Sequence, residues 1–239
     1  MEKSILDNYV VVIPCLEPDD NLLETIKSLK EEGFYNIVIV NDGSSPRYDI
    51  FFTSATEIEG INCVILVHDH NMGQGRAYKT AFDYFLHHFS GAKGVIQCDA
   101  DGQHKACDVR RCAEYMEEYP DELILGERDF NGGSVPFKSR FGNKCTSLVF
   151  HIFFHLDIKD TQTGLKGIPS SLVSYLIDAP GERYEFCSCT LLEANRLKYG
   201  INSFPIQTVY DNKNSSSHFK PVRDAIRVYG CLLKYYLSL

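Results

Sequence analysis

Apolar and polar positions follow two different spacings along the first half of the chain. Four short runs rich in valine and isoleucine, each closing on polar residues, predict buried strands: NYVVVIPC, YNIVIVNDGSS, INCVILVHD and AKGVIQCDAD. Three other stretches carry apolar residues every three or four positions, the spacing of a helix with one buried face: DDNLLETIKSLKEEG, MGQGRAYKTAFDYFLHHF and KACDVRRCAEYMEEY. This alternation predicts an α/β fold.

Strands separated by helices in this way form a Rossmann-like, mostly parallel central sheet with helices on both faces. Ligands of such sheets bind beyond the carboxyl ends of the strands. Each of the four predicted strands ends in polar residues, so we expect these ends to converge on one crevice. After about Ser134 the pattern is less regular, and helices are predicted at 140–156 and 188–199.

The composition argues against several classes of protein. A net charge of −8, a pI of about 5.5 and the lack of a long basic run disfavour nucleic-acid binding, which depends on Lys and Arg at phosphates. Nine scattered cysteines without a CxxC pair disfavour a zinc site and predict reduced thiols. Because neither a signal peptide nor a run of about 18 apolar residues is found, the chain is predicted to be soluble and cytoplasmic.

The segment QCDADGQH places Asp99 and Asp101 one residue apart at the end of the fourth predicted strand. Their mutual repulsion is costly unless water or a cation neutralises it. Mg²⁺ and Mn²⁺ prefer oxygen ligands, and Mg²⁺ is commonly shared between carboxylates and substrate phosphates. There the cation offsets charge on a departing diphosphate. A solvated acidic turn is the alternative.

Two other phosphate-binding motifs, GxxxxGK[ST] and a GxGxxG after the first strand, are absent from the sequence.

Seven motifs follow one another along the chain: VVIPCLEP, IVIVNDGSS, HNMGQGRAYKTAF, QCDADGQH, DTQTGLKG, RYEF and SSHFKPVRD. In this set, from about Tyr9 to Tyr229, the chain resembles the family 2 glycosyltransferases of the GT-A fold. Within them it is most similar to the dolichol-phosphate mannosyltransferases and the bacterial polyprenyl-phosphate glycosyltransferases. The resemblance implies a single GT-A domain over residues 1–239. Its nucleotide-sugar-binding half would span about 1–133 and its acceptor-side half about 134–239.

The resemblance also implies which residues hold the donor and the metal. For the nucleotide-sugar donor they are Pro14, Glu17, Asp42, Arg76, Asp99, Gln162, Gly164 and Ser217, with Gly167 beside Gly164. For Mg²⁺ or Mn²⁺ they are Asp99, Asp101, Gln103 and His218. Plainer roles stay open for some of them: Asp42 as the cap of the turn at Gly43-Ser44, Arg76 and His218 as surface residues, and QTGLKG as a helix-ending turn.

For catalysis the resemblance implies Asp101, Glu185, Arg128 and Arg140. Inverting relatives often carry an acidic pair in the RYEF region, one member of which deprotonates an acceptor hydroxyl, but this chain has Glu185 alone. A phosphate acceptor is already ionised near neutral pH and needs no base. It needs cations instead, and Arg128 and Arg140 match the arginines that relatives acting on lipid phosphates use. Salt-bridged surface arginines are the alternative.

Together these features predict an inverting, metal-dependent transfer of a hexose from a nucleotide-diphospho-sugar to a polyprenyl or dolichyl phosphate. A UDP-sugar is favoured over GDP-mannose because the first motif ends in PCLEP rather than in the mannosyltransferases' usual Asn-Glu. One alternative is transfer to a sugar hydroxyl in cell-surface polysaccharide synthesis, with Glu185 as the base. Another is a non-catalytic nucleotide-sugar-binding protein. A sugar-nucleotide pyrophosphorylase would need a basic, glycine-rich loop where this chain has PCLEPDD.

The C-terminal stretch from Arg223 combines an apolar and a basic side. The apolar residues are Ile226, Val228, Leu232, Leu233, Tyr236 and Leu237, and the basic ones are Arg223, Arg227 and Lys234. A helix of this kind covers a core, rests on a membrane surface or contacts a separate membrane subunit. The second interpretation would place the protein peripherally at the inner face of the membrane.

Overall fold

The computed structural model describes residues 4–129, 137–207 and 221–237. Its strands are β1 (Tyr9–Cys15), β2 (Asn36–Asn41), β3 (Asn62–Val67), β4 (Gly94–Gln97), β5 (Glu122–Arg128), β6 (Lys166–Pro169) and β7 (Gly200–Ile206). Its α-helices are α1 (Asp20–Glu32), α2 (Asp49–Thr56), α3 (Gln74–His88), α4 (Ala106–Glu118), α5 (Phe137–Phe154), α6 (Ser170–Leu176), α7 (Phe186–Arg196) and α8 (Pro221–Leu237).

All of these strands belong to one sheet, in the order β3-β2-β1-β4-β6-β5-β7. Strand β6 is the exception to parallel pairing, since it runs antiparallel to both of its neighbours, β4 and β5. The other neighbouring pairs are parallel. The structure therefore confirms the predicted α/β class with a mostly parallel central sheet.

The two faces of the sheet carry separate cores because successive side chains of a strand point to opposite sides. On β1, Val10 and Val12 belong to a cluster that includes residues of α3, α6 and α7. Val11 and Ile13 belong to a second cluster, with residues of α1, α2 and α4. Helices thus cover both faces, as predicted, and this explains why the central strands are apolar along their whole length.

Helix α1 shows how local sequence sets the elements. Asp19 caps its N-terminus by accepting a hydrogen bond from the backbone N–H of Asn21. Leu22 and Ile26 lie one turn apart and are fully buried against the sheet. The helix ends at Gly33, whose φ of 103° is a left-handed conformation that glycine adopts without steric cost.

The predicted elements are confirmed with shifts of a few residues at their ends. The helices predicted at 140–156 and 188–199 are α5 and α7, which begin at Phe137 and Phe186. The apolar pattern did not predict α2, a short helix that buries only Phe52 and Ala55. It also left β5, β6 and β7 unassigned, although they complete the sheet.

The order of the strands defines where a ligand site belongs. From β1 the chain first builds outward through β2 and β3, and β4 then adds to the other side of β1. This reversal creates a crevice beyond the carboxyl ends of β1 and β4, the usual ligand position in open α/β sheets. The segment QCDADGQH follows β4 at this place.

Helix α8 is attached to α7. The hydroxyl of Tyr235 donates to Glu193 Oε1 at 2.6 Å, and Cys189 is paired with Cys231 across the two helices, with Cα atoms 7.2 Å apart. The other seven cysteines are free, and the Cys189–Cys231 pair departs from the prediction of reduced thiols. Within the described ranges, no helix is both long and apolar enough to cross a bilayer.

Candidate active site

Asp99 lies at the centre of the crevice and is held from two sides. Its Oδ1 accepts hydrogen bonds from Gln74 Nε2 at 3.1 Å and from the Tyr78 hydroxyl at 3.4 Å, both on α3. Its Oδ2 lies 3.2 Å from Nε2 of His104, which is buried. Groups from α3 and from the loop after β4 therefore fix the orientation of the first carboxylate of the predicted pair.

Gly164 brings the segment DTQTGLKG directly against this carboxylate. A Cβ atom at position 164 would lie 2.1 Å from Asp99 Oδ2 and 2.8 Å from His104 Nε2. The backbone at Gly164 therefore lies against the Asp99–His104 pair of the protein itself, and its contact with the donor stays a prediction. Gly167 allows a different contact, since a Cβ there would meet Met116 and Cys112 of α4.

The pKa values of Asp99 and Asp101 are shifted in opposite directions. Burial acts to raise the pKa of Asp99, but the hydrogen bond with His104 and the positive charges of Lys166 and Arg128 outweigh it, so that the pKa falls below its ordinary value. Burial and the neighbouring charge of Asp99 raise the pKa of Asp101 to about 6. At neutral pH both are therefore ionised, and Asp101 carries an unfavourable negative charge.

This arrangement fits a divalent cation. Asp99 and Asp101 supply two hard oxygen ligands whose repulsion a cation would relieve. The Oδ1 of Asp101 also accepts the backbone N–H of Gln103 at 3.0 Å, which closes the turn. No cluster of three His, Cys, Asp or Glu side chains suited to a metal occurs in the described part of the chain. The predicted ligand His218, like Ser217, lies outside the described residues.

Lys166 lies fully buried in β6, next to this site. It is opposite Gln97 of β4 in the sheet register, and its Nζ donates to the carbonyl oxygen of Thr163. A buried ammonium group is costly unless it is paired or hydrogen-bonded. Its charge acts on Asp99, so it offsets part of the negative charge of the crevice.

Arg128, at the end of β5, is held by a fully buried carboxylate. Its Nε and Nη2 contact Asp160 Oδ2 and Oδ1 at 2.7 and 2.9 Å. This two-point contact fixes the plane of the guanidinium group, while its charge acts on Asp99. Arg140, on α5, is half-buried, and its Nε is buried without a hydrogen-bond partner among the described residues. Of the two arginines predicted to hold the acceptor, Arg128 is thus fixed by an ion pair with Asp160, whereas the Nε of Arg140 has no hydrogen-bond partner among the described residues.

Asp42 organises the entrance to α3. Its Oδ1 accepts the backbone N–H of Met72 and contacts Nδ1 of His68, both at 2.8 Å, and its Oδ2 accepts the N–H of Gly73 at 2.8 Å. The turn at Gly43-Ser44 is instead held by Asn41, whose Oδ1 accepts the N–H of Ser44. The capping role suggested for Asp42 is therefore wrong for that turn, and its contact with a nucleoside stays a prediction.

The loop after β1 is tied to the loop after β2. Glu17 has a φ of 52°, and its backbone N–H donates to Ser44 Oγ at 2.8 Å. Its side chain is exposed, and Pro14 in β1 is half-buried. These two predicted donor-binding residues lie at the same carboxyl edge of the sheet as Asp42.

Arg76 forms an ion pair with Glu182. Its Nη2 lies 2.8 Å from Glu182 Oε1, and Lys79 Nζ contacts the same oxygen at 2.9 Å. The segment around Glu182 thereby docks on the first turn of α3, where the hydrogen bond from Arg76 N to Glu182 O adds to the contact. Arg76 is thus a partly exposed arginine, 39% accessible and held by an ion pair, and its contact with the donor stays a prediction.

Glu185 also supports this segment. Its Oε1 accepts the backbone N–H groups of Glu182 and Arg183 at 3.1 and 3.3 Å, while its Oε2 is buried and has no hydrogen-bond partner in the part of the chain that the structure describes. Beside it, burial and the charge of Asp99 raise the pKa of Tyr184 to about 12. Gln162 is engaged as well, since its Nε2 donates to Ser188 Oγ at 2.9 Å.

The structure adds residues that sequence reasoning missed. They are Gln74, Tyr78, His104, Asp160 and Lys166. All five lie inside motifs that were quoted for other residues, such as the last position of QCDADGQH and the first of DTQTGLKG. Their place inside motifs that resemble those of a known family was the available signal.

Comparison with known proteins gives a consistent picture. A family model described as Glycosyl transferase family 2 matches residues 10–172. The chain is 27% identical over 220 residues to the UDP-N-acetylglucosamine–dolichyl-phosphate N-acetylglucosaminyltransferase of Methanococcus voltae, covering 84% of this chain and 85% of that protein. It is 29% identical over 131 residues to the undecaprenyl-phosphate 4-deoxy-4-formamido-L-arabinose transferase of Proteus mirabilis, covering 53% and 38%.

Among solved structures, a mycobacterial protein has a similar fold. The TM-score is 0.68 at 14% sequence identity, and the alignment covers 98% of this chain and 79% of that one. At this identity the likeness concerns the fold alone.

Proposed function

Because the chain belongs to glycosyl transferase family 2 and is a glycosyltransferase like its named relatives, we propose that it transfers a hexose from a nucleotide-diphospho-sugar to a polyprenyl or dolichyl phosphate. One observation carries the proposal: Asp99 is held in place beside Asp101 at the sheet switch point, with the cation Arg128 close enough to act on it.

Asp99 and Asp101 would hold Mg²⁺ or Mn²⁺, which when bound supplies positive charge for the diphosphate of the donor. His104, Gln74 and Tyr78 keep Asp99 in the orientation that this requires. Gly164 keeps the space between Asp99 and the DTQTGLKG segment free of a side chain. Asp99 is therefore held in place before a donor arrives, and such preorganisation favours catalysis.

In the proposed reaction a phosphate oxygen of the acceptor forms a bond to the anomeric carbon. The bond from this carbon to the diphosphate breaks on the opposite face, and the nucleoside diphosphate leaves with the electron pair, so the configuration inverts. The attacking oxygen is already ionised, so no general base is required. The contacts of Glu185 agree with a reaction that needs no general base, because its Oε1 already accepts hydrogen bonds from two backbone N–H groups.

The acceptor phosphate would be positioned by Arg128 and Arg140. Asp160 fixes the plane of Arg128, and the buried Nε of Arg140 lacks a partner among the described residues. A buried donor without a partner is unfavourable, and an anionic acceptor would remove this cost. A UDP-sugar is the proposed donor, on the basis of the PCLEP motif and of a relative named for UDP-N-acetylglucosamine.

The proposal is tested by replacing Asp101→Asn and measuring transfer from a radiolabelled UDP-hexose to a polyprenyl phosphate with Mn²⁺ present. Transfer should fall by about a hundredfold or more, because charge stabilisation of this kind contributes about that much. Asp83→Asn on the exposed side of α3 is the matched control and should keep full activity. Normal transfer by the Asp101→Asn variant would show that the carboxylate pair is not the reaction centre.

A second candidate is transfer to a sugar hydroxyl. It is favoured by the Oε2 of Glu185, which is buried and has no hydrogen-bond partner in the described ranges. Glu185→Gln separates the two, since the amide oxygen still accepts the N–H groups of Glu182 and Arg183. With a phosphate acceptor the rate should stay within a few fold. With a hydroxyl acceptor it should fall by about 10²–10⁴-fold, the usual contribution of a general base. Polyprenyl phosphate and a soluble glycan, supplied in competition, identify which acceptor is used.

A non-catalytic binding protein makes a different prediction. It would bind the donor without breaking it, whereas the proposed enzyme should hydrolyse a UDP-sugar slowly in the presence of Mn²⁺ when no acceptor is added.

A further inference from the structure

Exposed apolar side chains are concentrated on α5 and α8. Eight of the fourteen large hydrophobic residues that are exposed in the described part of the chain lie on these two helices. On α5 they are Leu148, Ile152 and Phe153. The rings of Phe153 and Tyr236 meet edge to face, with centroids 5.3 Å apart. The two helices therefore present one continuous surface, here called the α5–α8 face.

Helix α8 has two apolar sides. Its buried side, with Val228, Leu232 and Tyr235, packs toward α7. The opposite side is apolar and exposed: Ile226, Tyr229, Leu233, Tyr236 and Leu237 recur every three or four residues, with 68%, 58% and 75% exposure at Ile226, Leu233 and Leu237. A helix that only covered the core would carry polar residues there, and large exposed apolar surfaces mark contact sites.

The charge of these helices differs in sign from that of the chain. Helices α5 and α8 together contain six Lys or Arg and one Asp, whereas the whole chain has a net charge of −8. At 3.6 residues per turn, Arg223, Arg227 and Lys234 lie on one flank of α8, beside the exposed apolar side. Arg227 is paired with Asp224 at 3.3 Å, so Arg223 and Lys234 carry the flanking charge. Apolar residues flanked by cations are the pattern of a helix that lies in the interface of an anionic membrane.

We propose that the α5–α8 face binds the surface of an anionic phospholipid bilayer, lying in its headgroup region without crossing it. This rests on the proposed function, in which the acceptor phosphate is anchored in a bilayer by its polyprenyl chain. The same helix α5 reaches the acceptor side of the crevice, because Asn143 Oδ1 accepts the N–H of Thr161 at 3.2 Å, next to the Asp160–Arg128 pair.

Charge favours the bilayer over a second copy of the chain. A twofold dimer would place this positively charged face against itself, and like charges across an interface are unfavourable. An anionic headgroup layer instead offers complementary charge over the whole length of α8.

The test is flotation of the full chain with vesicles of phosphatidylcholine alone or with 30% phosphatidylglycerol, the latter being about the anionic content that attracts basic segments. The chain should float with the anionic vesicles and be released by 0.5 M NaCl, a concentration that screens charges beyond about 4 Å. Arg223→Gln and Lys234→Gln should each weaken binding about fivefold. The double variant Ile226→Glu/Leu233→Glu should abolish it.

The matched control is Ile50→Glu, because Ile50 on α2 is 64% exposed and lies outside the α5–α8 face. It should float like the unchanged chain. Circular dichroism and the thermal midpoint show whether each variant is folded. Donor hydrolysis without acceptor reports on the active site, so that its loss and the loss of vesicle binding are distinguishable.

Two outcomes would overturn the proposal. One is a failure of the unchanged chain to float with anionic vesicles, or equal flotation of the Ile226→Glu/Leu233→Glu variant. The other is a concentration-dependent dimer in solution that this double variant abolishes, which would assign the face to a second copy. If the Ile226→Glu/Leu233→Glu variant still hydrolyses the donor but no longer floats with anionic vesicles, the result supports the membrane contact independently of the glycosyl transfer.

Discussion

At the scale of single residues, the site depends on how closely neighbouring groups approach Asp99. Four side-chain and backbone features enclose it: Gln74, Tyr78 and His104 by contact, and Gly164 by the absence of a side chain. The sequence predicted Asp99 and Gly164 through their motifs. It did not predict Tyr78 as a partner, because Tyr78 lies 21 residues before Asp99 and such contacts follow from packing. It also did not predict His104, five residues after Asp99, because that contact depends on how the loop after β4 folds.

The replacement Gly164→Ala tests this closeness. Its Cβ would overlap Asp99 Oδ2 at 2.1 Å, so either the carboxylate or the backbone must move. We expect transfer to fall by about a hundredfold, as displacements of about 1 Å do at active sites, and the free energy of unfolding to fall by about 1–3 kcal/mol from overpacking.

The control for this variant is Gly91→Ala, since a Cβ at position 91 meets no atom within 4 Å. Steady-state kinetics and urea unfolding of both variants provide the measurement. An active Gly164→Ala enzyme with unchanged stability would mean that the loop around Asp99 is looser than the structure indicates.

At the scale of elements, the docking of residues 181–185 on α3 connects the two halves of the chain. Glu182 binds both Arg76 and Lys79, and Cβ atoms at Gly73 and Gly75 would clash with the backbone near Glu182. The apolar spacing placed MGQGRA at the start of a predicted helix. The structure shows that these glycines also make room for a segment more than a hundred residues away, and no local pattern contains that information.

Glu182→Gln should loosen this contact and leave the buried Lys79 ammonium without its charged partner. The free energy of unfolding should fall by about 1–2 kcal/mol, less than the full contribution of about 1.5–3 kcal/mol for a hydrogen bond to a charged group, because Glu182 is 44% exposed and partly screened. Urea denaturation measures the change, with the exposed Glu24→Gln on α1 as the control. Equal stability of the two variants would contradict the structural role of Glu182.

At the scale of the whole molecule, apolar runs predicted the parallel core of the sheet because buried parallel strands are continuous in hydrophobicity. The pattern did not predict where β5, β6 and β7 pair. Strand β6 has only four residues, and its position between β4 and β5 is decided by contacts across the fold. The chain from β5 onward was accordingly harder to predict, although helices α5 and α7 were found.

The insertion of β6 has a consequence for how this protein is made. One edge of β4 stays open until a strand some seventy residues later has been synthesised and folded back. Pairings of such sequence separation are slow to form, and an unpaired strand edge invites association with other chains. During translation one edge of β4 therefore stays unpaired, and open to association with other chains, until β6 has been synthesised.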